Sequence, residues 1–323
     1  MACYLLKFLL RRYFMQRQKT IREAAGCSGT GLHTGKPVNI RILPADEDSG
    51  ISFVRTDIPG RPVIKAASEN VVDTRLATTI GRGSVTISTV EHLLAAFYGM
   101  GIDNAIVEVG SCEIPIMDGS AEPFVNLIRE VGMRAQRKPK KFIIIKKPIK
   151  VRDGKKVAIL LPARDFKITY SITFEHSFLS GQSFSKMYSD KIFINEICGA
   201  KTFGFLKEVE WLRSQGLAIG GSLENAIVIG DTSIINADLL RYPDEFVRHK
   251  VLDCIGDLSL LGAGVIGHII ADKSGHSLNQ RLVRKVIESP SRWSYAEIPA
   301  NGDDEEYLYS EVGISPSLCY AAS

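Results

Sequence analysis

The chain has 323 residues, 45% hydrophobic and 24% charged, with a formal net charge of +4, so it holds enough apolar material for one or two sizeable cores. The mild positive charge forms no aromatic-interleaved basic stripe, which argues against nucleic acid as a partner and leaves anionic small molecules. Six cysteines (Cys3, Cys27, Cys112, Cys198, Cys254, Cys319) are scattered without a C-x-x-C pair; neither a disulfide framework nor a cysteine metal site is expected, and a reducing cytoplasm suits them.

Residues 1–14 contain Lys7, Arg11 and Arg12, no acid, and an apolar run broken at Lys7, too short to span a bilayer. Such a start could be a targeting peptide or a surface helix, but it is read here as an N-terminal extension or an over-long start, with Met15 as the alternative beginning. From residue 20 to residue 132, β-rich runs such as 37–43 alternate with helices expected at 90–98 and 123–131. The basic tract 137–141 around Pro139 reads as an exposed linker, which places a boundary near residue 138 and a first domain over 15–138. The second domain, 139–288, repeats the order. Strands are expected at 142–149, 155–161 and 167–174, and helices at 207–215, 244–261 and 280–288. Two similar α+β halves are the simplest account, although no residue-level repeat proves a duplication. Residues 289–323, with Asp303, Asp304, Glu305 and Glu306, read as a surface tail.

Two distant fragments carry chemistry. In His249-Lys250-Val251-Leu252-Asp253, helical spacing puts His249 and Asp253 on one face, able to grip one ion. In Thr89-Val90-Glu91-His92, His92 would be a third ligand and Glu91 a base for water in the open fourth position of a catalytic zinc site. Spacing alone favours plainer readings. Ser88-x-x-Glu91 is also a capping box, and charges four residues apart commonly decorate a solvated helix face.

Longer strings are more specific. Ser28-Gly29-Thr30-Gly31-Leu32-His33-Thr34-Gly35, Ile87-Ser88-Thr89-Val90-Glu91-His92-Leu93-Leu94-Ala95-Ala96, Ile114-Pro115-Ile116-Met117-Asp118-Gly119-Ser120-Ala121, Ala200-Lys201-Thr202-Phe203-Gly204-Phe205, the stretch from Asp244 to Asp253, and Lys273-Ser274-Gly275-His276-Ser277-Leu278-Asn279 occur in one order. From about Gln18 to about Val286 the chain resembles the UDP-3-O-acyl-N-acetylglucosamine deacetylase family.

The resemblance implies two β-α-α-β domains related to the ribosomal protein S5 domain 2-like fold, with helices packed between the sheets and the site between domains. It implies Zn2+ on His92, His249 and Asp253, with Glu91 as base and His276 as the acid that protonates the leaving amine. Asp257 would orient His276, Thr202 would donate to the oxyanion, and Lys250 would add positive charge. An inserted β-α-β element near 204–230 would form a passage for a fatty-acyl chain, lined by Leu206, Val209 and Leu212 beside Phe203; Phe174 would stack on uracil, and Lys273 and His33 would face the diphosphate. Taken singly these residues have ordinary alternatives: core packing for the apolar and aromatic ones, solvation for His276 in a Ser-Gly turn. The implied reaction is hydrolysis of the N-acetyl group of UDP-3-O-acyl-GlcNAc, the committed step of lipid A synthesis. The enzyme is expected to be a monomer in the cytoplasm, drawn transiently to the inner membrane by its substrate's tail. A small-molecule kinase and a non-catalytic nucleotide-sugar binder are the competing readings. The glycine-rich stretch 216–222 prompts the first, yet no G-x-x-x-x-G-K-[ST] loop is present.

Overall fold

Strict alternation of apolar side chains builds the sheets. In Pro37–Pro44 the buried residues are Val38, Ile40 and Ile42, and in Lys167–Ile172 they are Ile168, Tyr170 and Ile172, the period of two that a strand with one core face requires. The structure is a computed structural model that describes residues 16–174, 176 and 181–297. It is a mixed α+β protein.

One five-stranded sheet runs in the order Ala25–Thr30, Pro37–Pro44, Ala105–Val109, Ile51–Arg55, Val63–Lys65. A second runs Ile149–Asp153, Lys156–Leu161, His268–Asp272, Lys167–Ile172, Gln182–Met187. In both, the last strand in sequence inserts centrally, antiparallel to the second and parallel to the third, with antiparallel hairpins at each edge. The two halves therefore share one topology, a repeat that residue identities do not display.

The helices repeat too. Helices α1 (Glu91–Met100) and α2 (Glu122–Val131) precede and follow the central strand of the first sheet. Helices α3 (Asp190–Glu196) and α4 (Leu206–Ser214) follow the edge strand Gln182–Met187 in the chain; α5 (Glu245–Ser259) and α6 (His276–Ile287) flank the central strand of the second sheet. Helix α1 is buried on nearly every side and ends in a left-handed Gly101, whose N–H and that of Ile102 return to carbonyls of the last turn. It packs along α5, and the apolar core runs without a break through both halves.

Three expectations change. The tract around Pro139 is not a linker: Met133–Pro139 pairs with Arg17–Ile21, and Lys141–Ile145 pairs with Gly264–Ile266 and Trp293–Glu297. Its lysines are tied down, Lys140 to Asp103 at 3.0 Å and Lys141 to Asp48 at 2.9 Å. Residues 293–297 are this strand of a sheet rather than part of a surface tail, and the Trp293 indole N–H donates to the Val286 carbonyl (2.7 Å). The apolar run Leu217–Ile219, β-like in composition, is a turn, with Ala218 in the left-handed region. Residues 1–15 and 298–323, including the alternative starts and Asp303 to Glu306, lie outside the described residues.

Candidate metal centre and active site

The site begins with the turn before α1. Thr89 has φ 59°, a left-handed conformation that costs a β-branched residue on the order of 1–3 kcal/mol. The Ser88-x-x-Glu91 capping box does not form. No side chain caps α1; the Ser88 hydroxyl accepts from Thr79 (2.9 Å), and Glu91 Oε2 instead accepts the Thr78 N–H (3.0 Å). Glu91 and His92 are thereby turned inward, and both are buried.

Helix α5 meets them from the other half. A Cβ on Gly256 would lie 2.1 Å from the Glu91 carbonyl oxygen, so the two helices approach through a position that admits no side chain. One turn earlier on α5, Asp253 Oδ1 lies 3.4 Å from His249 Nε2 and 3.6 Å from His92 Nε2. All three residues are buried, and their donor atoms lie within 4.8 Å of one another. Donors about 2.0–2.1 Å from a tetrahedral cation stand about 3.4 Å apart, close to the two distances from Asp253 Oδ1. Asp253 Oδ1 has no hydrogen-bond partner, a costly state for a buried carboxylate oxygen unless a cation satisfies it. His249 Nδ1 bonds the Ala200 carbonyl (3.0 Å), which fixes the ring so that Nε2 offers its lone pair to the centre.

The electrostatics agree with ligation. Burial drives the His249 pKa down to about 3, keeping the imidazole neutral. Burial alone would raise Asp253, but His249, Lys250 and His276 hold it well below the ordinary carboxylate value. The Lys250 ammonium donates to Asp253 Oδ2 (2.8 Å), leaving Oδ1 free. Burial raises Glu91 above the usual carboxylate range against the opposing pull of His276 and His92, the direction a proton acceptor needs.

His276 opens α6 instead of sitting in a loop, so a rigid element positions it. Its Nδ1 bonds Asp257 Oδ2 (3.0 Å), and Nε2 points to the centre, 3.7 Å from Glu91 Oε1 and 3.9 Å from Asp253 Oδ2. Burial would lower its pKa; Asp257, Glu91 and Asp253 outweigh that and lift it to about 10. Asp257 itself is fully buried, receiving the Thr78 hydroxyl (2.5 Å) and the Asn279 amide (2.8 Å).

In the chain Thr202 lies between Ala200, whose carbonyl holds His249, and Phe203, whose ring lies 6.2 Å from the His249 ring; its N–H donates to the Gly119 carbonyl (2.8 Å) and its carbonyl accepts the Ile227 N–H (2.8 Å). Lys250 Nζ sits 5.5 Å over the Phe203 ring. Phe174 is half-buried against Phe203, Phe205 and Phe246, part of an aromatic cluster and not a free-standing ring. The β-α-β insert is present: Phe203–Phe205 and Ile227–Ile229 pair in parallel around α4. Core packing does not explain its apolar residues, because α4 buries none of them; Leu206 is exposed and Val209 and Leu212 are half-buried. The glycine-rich turn after α4 holds no phosphate-loop geometry, and its Ile219 and Gly220 N–H groups bond the His33 and Leu32 carbonyls. His33 lies under this turn with both ring nitrogens buried and unpartnered, and Lys273, two residues before Gly275, is left-handed (φ 54°).

Sequence reasoning missed Thr78, Asn279 and Gly256. Only Gly256 left a signal, a glycine inside an otherwise strong helical pattern next to the candidate ligands. The other two are uncharged residues whose importance arises from contacts with Glu91 and Asp257 across 13 and 22 positions.

A family model described as UDP-3-O-acyl N-acetylglycosamine deacetylase matches residues 18–288. The chain is 55% identical over 284 residues to a UDP-3-O-acyl-N-acetylglucosamine deacetylase from Myxococcus xanthus, covering 88% of this chain and 90% of that protein. It is 51% identical over 282 residues to the protein so named in Syntrophus aciditrophicus (87% and 90% covered), and 49% over 280 residues to that of Citrifermentans bemidjiense (87% and 92%).

Proposed function

The chain belongs to the UDP-3-O-acyl N-acetylglycosamine deacetylase family, and on that premise we propose how its inter-half cleft hydrolyses the N-acetyl group of UDP-3-O-(3-hydroxyacyl)-N-acetylglucosamine. The products are acetate and the free 2-amino sugar, which enters lipid A synthesis. The unpartnered Asp253 Oδ1, met by imidazoles from both halves, is the observation that carries the reading.

His92, His249 and Asp253 would hold Zn2+, whose preferred donors are nitrogen and carboxylate oxygen. When bound, the ion would acidify water in its open position and polarise the acetamide carbonyl. Glu91, anchored through Oε2 by Thr78, takes the proton of the attacking water with Oε1. As water oxygen adds to the carbonyl carbon, the Thr202 hydroxyl donates to the developing oxyanion and Lys250 adds positive charge. The C–N bond then breaks. His276 Nε2 delivers its proton to the departing nitrogen, with Asp257 on Nδ1 holding the ring in register.

The half-exposed apolar side of α4, with Leu206, Val209 and Leu212, is the surface for the acyl chain. Phe174 and Phe203 border it, and Lys273 and His33 face the nucleotide end. The shared strand order supports a reading of 15–138 and 139–288 as two domains of the ribosomal protein S5 domain 2-like type. No helix among the described residues is long and apolar enough to cross a membrane. Action as a monomer in the cytoplasm, near the inner membrane through the substrate's tail, fits this reaction.

Metal content and acetate release test the division of roles. Glu91→Gln should keep its ion while turnover falls by roughly 100-fold or more. His249→Ala should lose both. Equal metal loss in the two variants would contradict the assignment.

A further inference from the structure

The structure assigns a positioning role to Glu113, acting through Thr89 on the turn that presents Glu91; this rests on the reaction proposed above. Glu113 is fully buried, and no cation is among the hydrogen-bond donors that reach its carboxylate. Four uncharged donors do so. Oε1 accepts the His33 N–H (2.8 Å) and the Thr89 hydroxyl (3.2 Å); Oε2 accepts the Thr34 N–H (3.0 Å) and the Thr34 hydroxyl (2.8 Å). The cradle is built closely around the group, since a Cβ on Gly31 would come within 2.3 Å of Oε2. The backbone fixes the same junction. Ser88 N–H donates to the Cys112 carbonyl (2.9 Å) and Ile114 N–H to the Ser88 carbonyl (3.0 Å), on either side of Glu113.

Thr89 is the residue held in the left-handed region two positions before Glu91, and its hydroxyl hydrogen bond runs to Glu113. That bond selects a backbone conformation a threonine otherwise avoids, and the conformation sets the direction in which Glu91 enters the cleft. On its other side the carboxylate organises residues 33 and 34, while the Leu32 and His33 carbonyls receive Gly220 (3.0 Å) and Ile219 (3.3 Å) of the insert. One buried carboxylate thus joins the turn bearing the base to the loop on which the insert rests. Neither group hydrogen-bonds a candidate metal ligand, but the same turn also carries His92, so the comparison is made at saturating zinc, where the loss should be felt in the chemical step.

The test compares the full chain, at saturating zinc, with Thr89→Val, Thr89→Ser, Glu113→Gln and the Thr89→Val/Glu113→Gln double variant. The measurements are kcat, KM for the N-acetylated UDP-sugar, bound metal and thermal midpoint. Thr89→Val and Glu113→Gln should each lower kcat about tenfold or more, with KM within about twofold and one ion retained. Thr89→Ser should stay within about threefold of the parent, and the double variant should be no worse than the weaker single because both act along one path. Should Glu113→Gln fail to fold, the Thr89→Val and Thr89→Ser pair decides the matter, since both keep the carboxylate. Multiplying effects in the double variant, unchanged kcat in Thr89→Val, or loss of activity only in proportion to loss of folded protein would overturn the inference. Absence of acetate release from the unaltered chain would instead overturn the proposed reaction, and the inference with it.

Discussion

Asp257 and His276 show how one residue sets another's chemistry. The carboxylate on Nδ1 raises the imidazole pKa, so the ring acts as an acid only while protonated, and activity should fall as pH rises through that value. Asp257→Asn keeps the shape and removes the charge; the alkaline limb of the kcat profile should move to lower pH. An unmoved limb would show that His276 is not the proton donor. The buried His92, His249 and Asp253 group and His276, proposed as ligands and acid, stood out in the sequence because histidines and carboxylates are rare enough to mark specific strings. Thr78, Asn279 and Glu113 were not, because their roles consist of buried hydrogen bonds between segments far apart in the chain, and nothing in local composition marks which threonine or glutamate will be buried.

Among the elements, α5 depends on a side chain that is missing at Gly256. Alanine is favoured over glycine inside a helix by about 1 kcal/mol. At position 256, however, the added Cβ meets the Glu91 carbonyl at 2.1 Å, so Gly256→Ala should lower both the thermal midpoint and turnover by forcing α1 and α5 apart. A stabilised, fully active variant would refute that close approach. Helix α4 should behave in the opposite way. Because it buries no residue, Val209→Ser and Leu212→Ser should change stability by less than about 0.5 kcal/mol, while shifting the preference among substrates of different acyl length. An unchanged preference would remove α4 from the acyl passage. Long amphipathic helices were readable to within a few residues. The seven-residue α3 was not: it buries only Phe193 and is announced by little more than Ser189, whose hydroxyl accepts the Ile192 N–H at 3.2 Å. The basic tract at 137–141 misled because charge on an exposed strand looks like charge on a linker when its partner strand begins 120 residues earlier.

At the scale of the whole molecule, two halves with one topology are clamped at several points besides the cleft. Arg241, just before α5, donates to Asp118 Oδ2 (2.7 Å) and to the Gly199 carbonyl (2.8 Å), joining the loop ahead of α2 to the second half. Burial would raise the Asp118 pKa, but Ser120 and Arg241 hold it below the ordinary value. Its contribution to stability is therefore complete above the unfolded value of about 3.9 and is lost as pH falls through the lower folded value. Asp118→Asn should lower the thermal midpoint at neutral pH and show a shallower further loss in acid than the parent; parallel pH curves would contradict the clamp. Two similar α+β halves were legible in the order of expected elements, but no residue-level repeat marked them, because backbone pairing keeps strand order without keeping side chains.

In the proposed centre both halves grip a single divalent ion. After chelation and return of one equivalent of zinc, bound metal measured on the parent chain, His92→Ala and Asp253→Ala addresses it directly. About one ion per parent chain is expected, with its loss from both variants, one ligand having been removed from each half. Retention of the ion by His92→Ala at parental affinity would mean that the first half does not contribute to the centre.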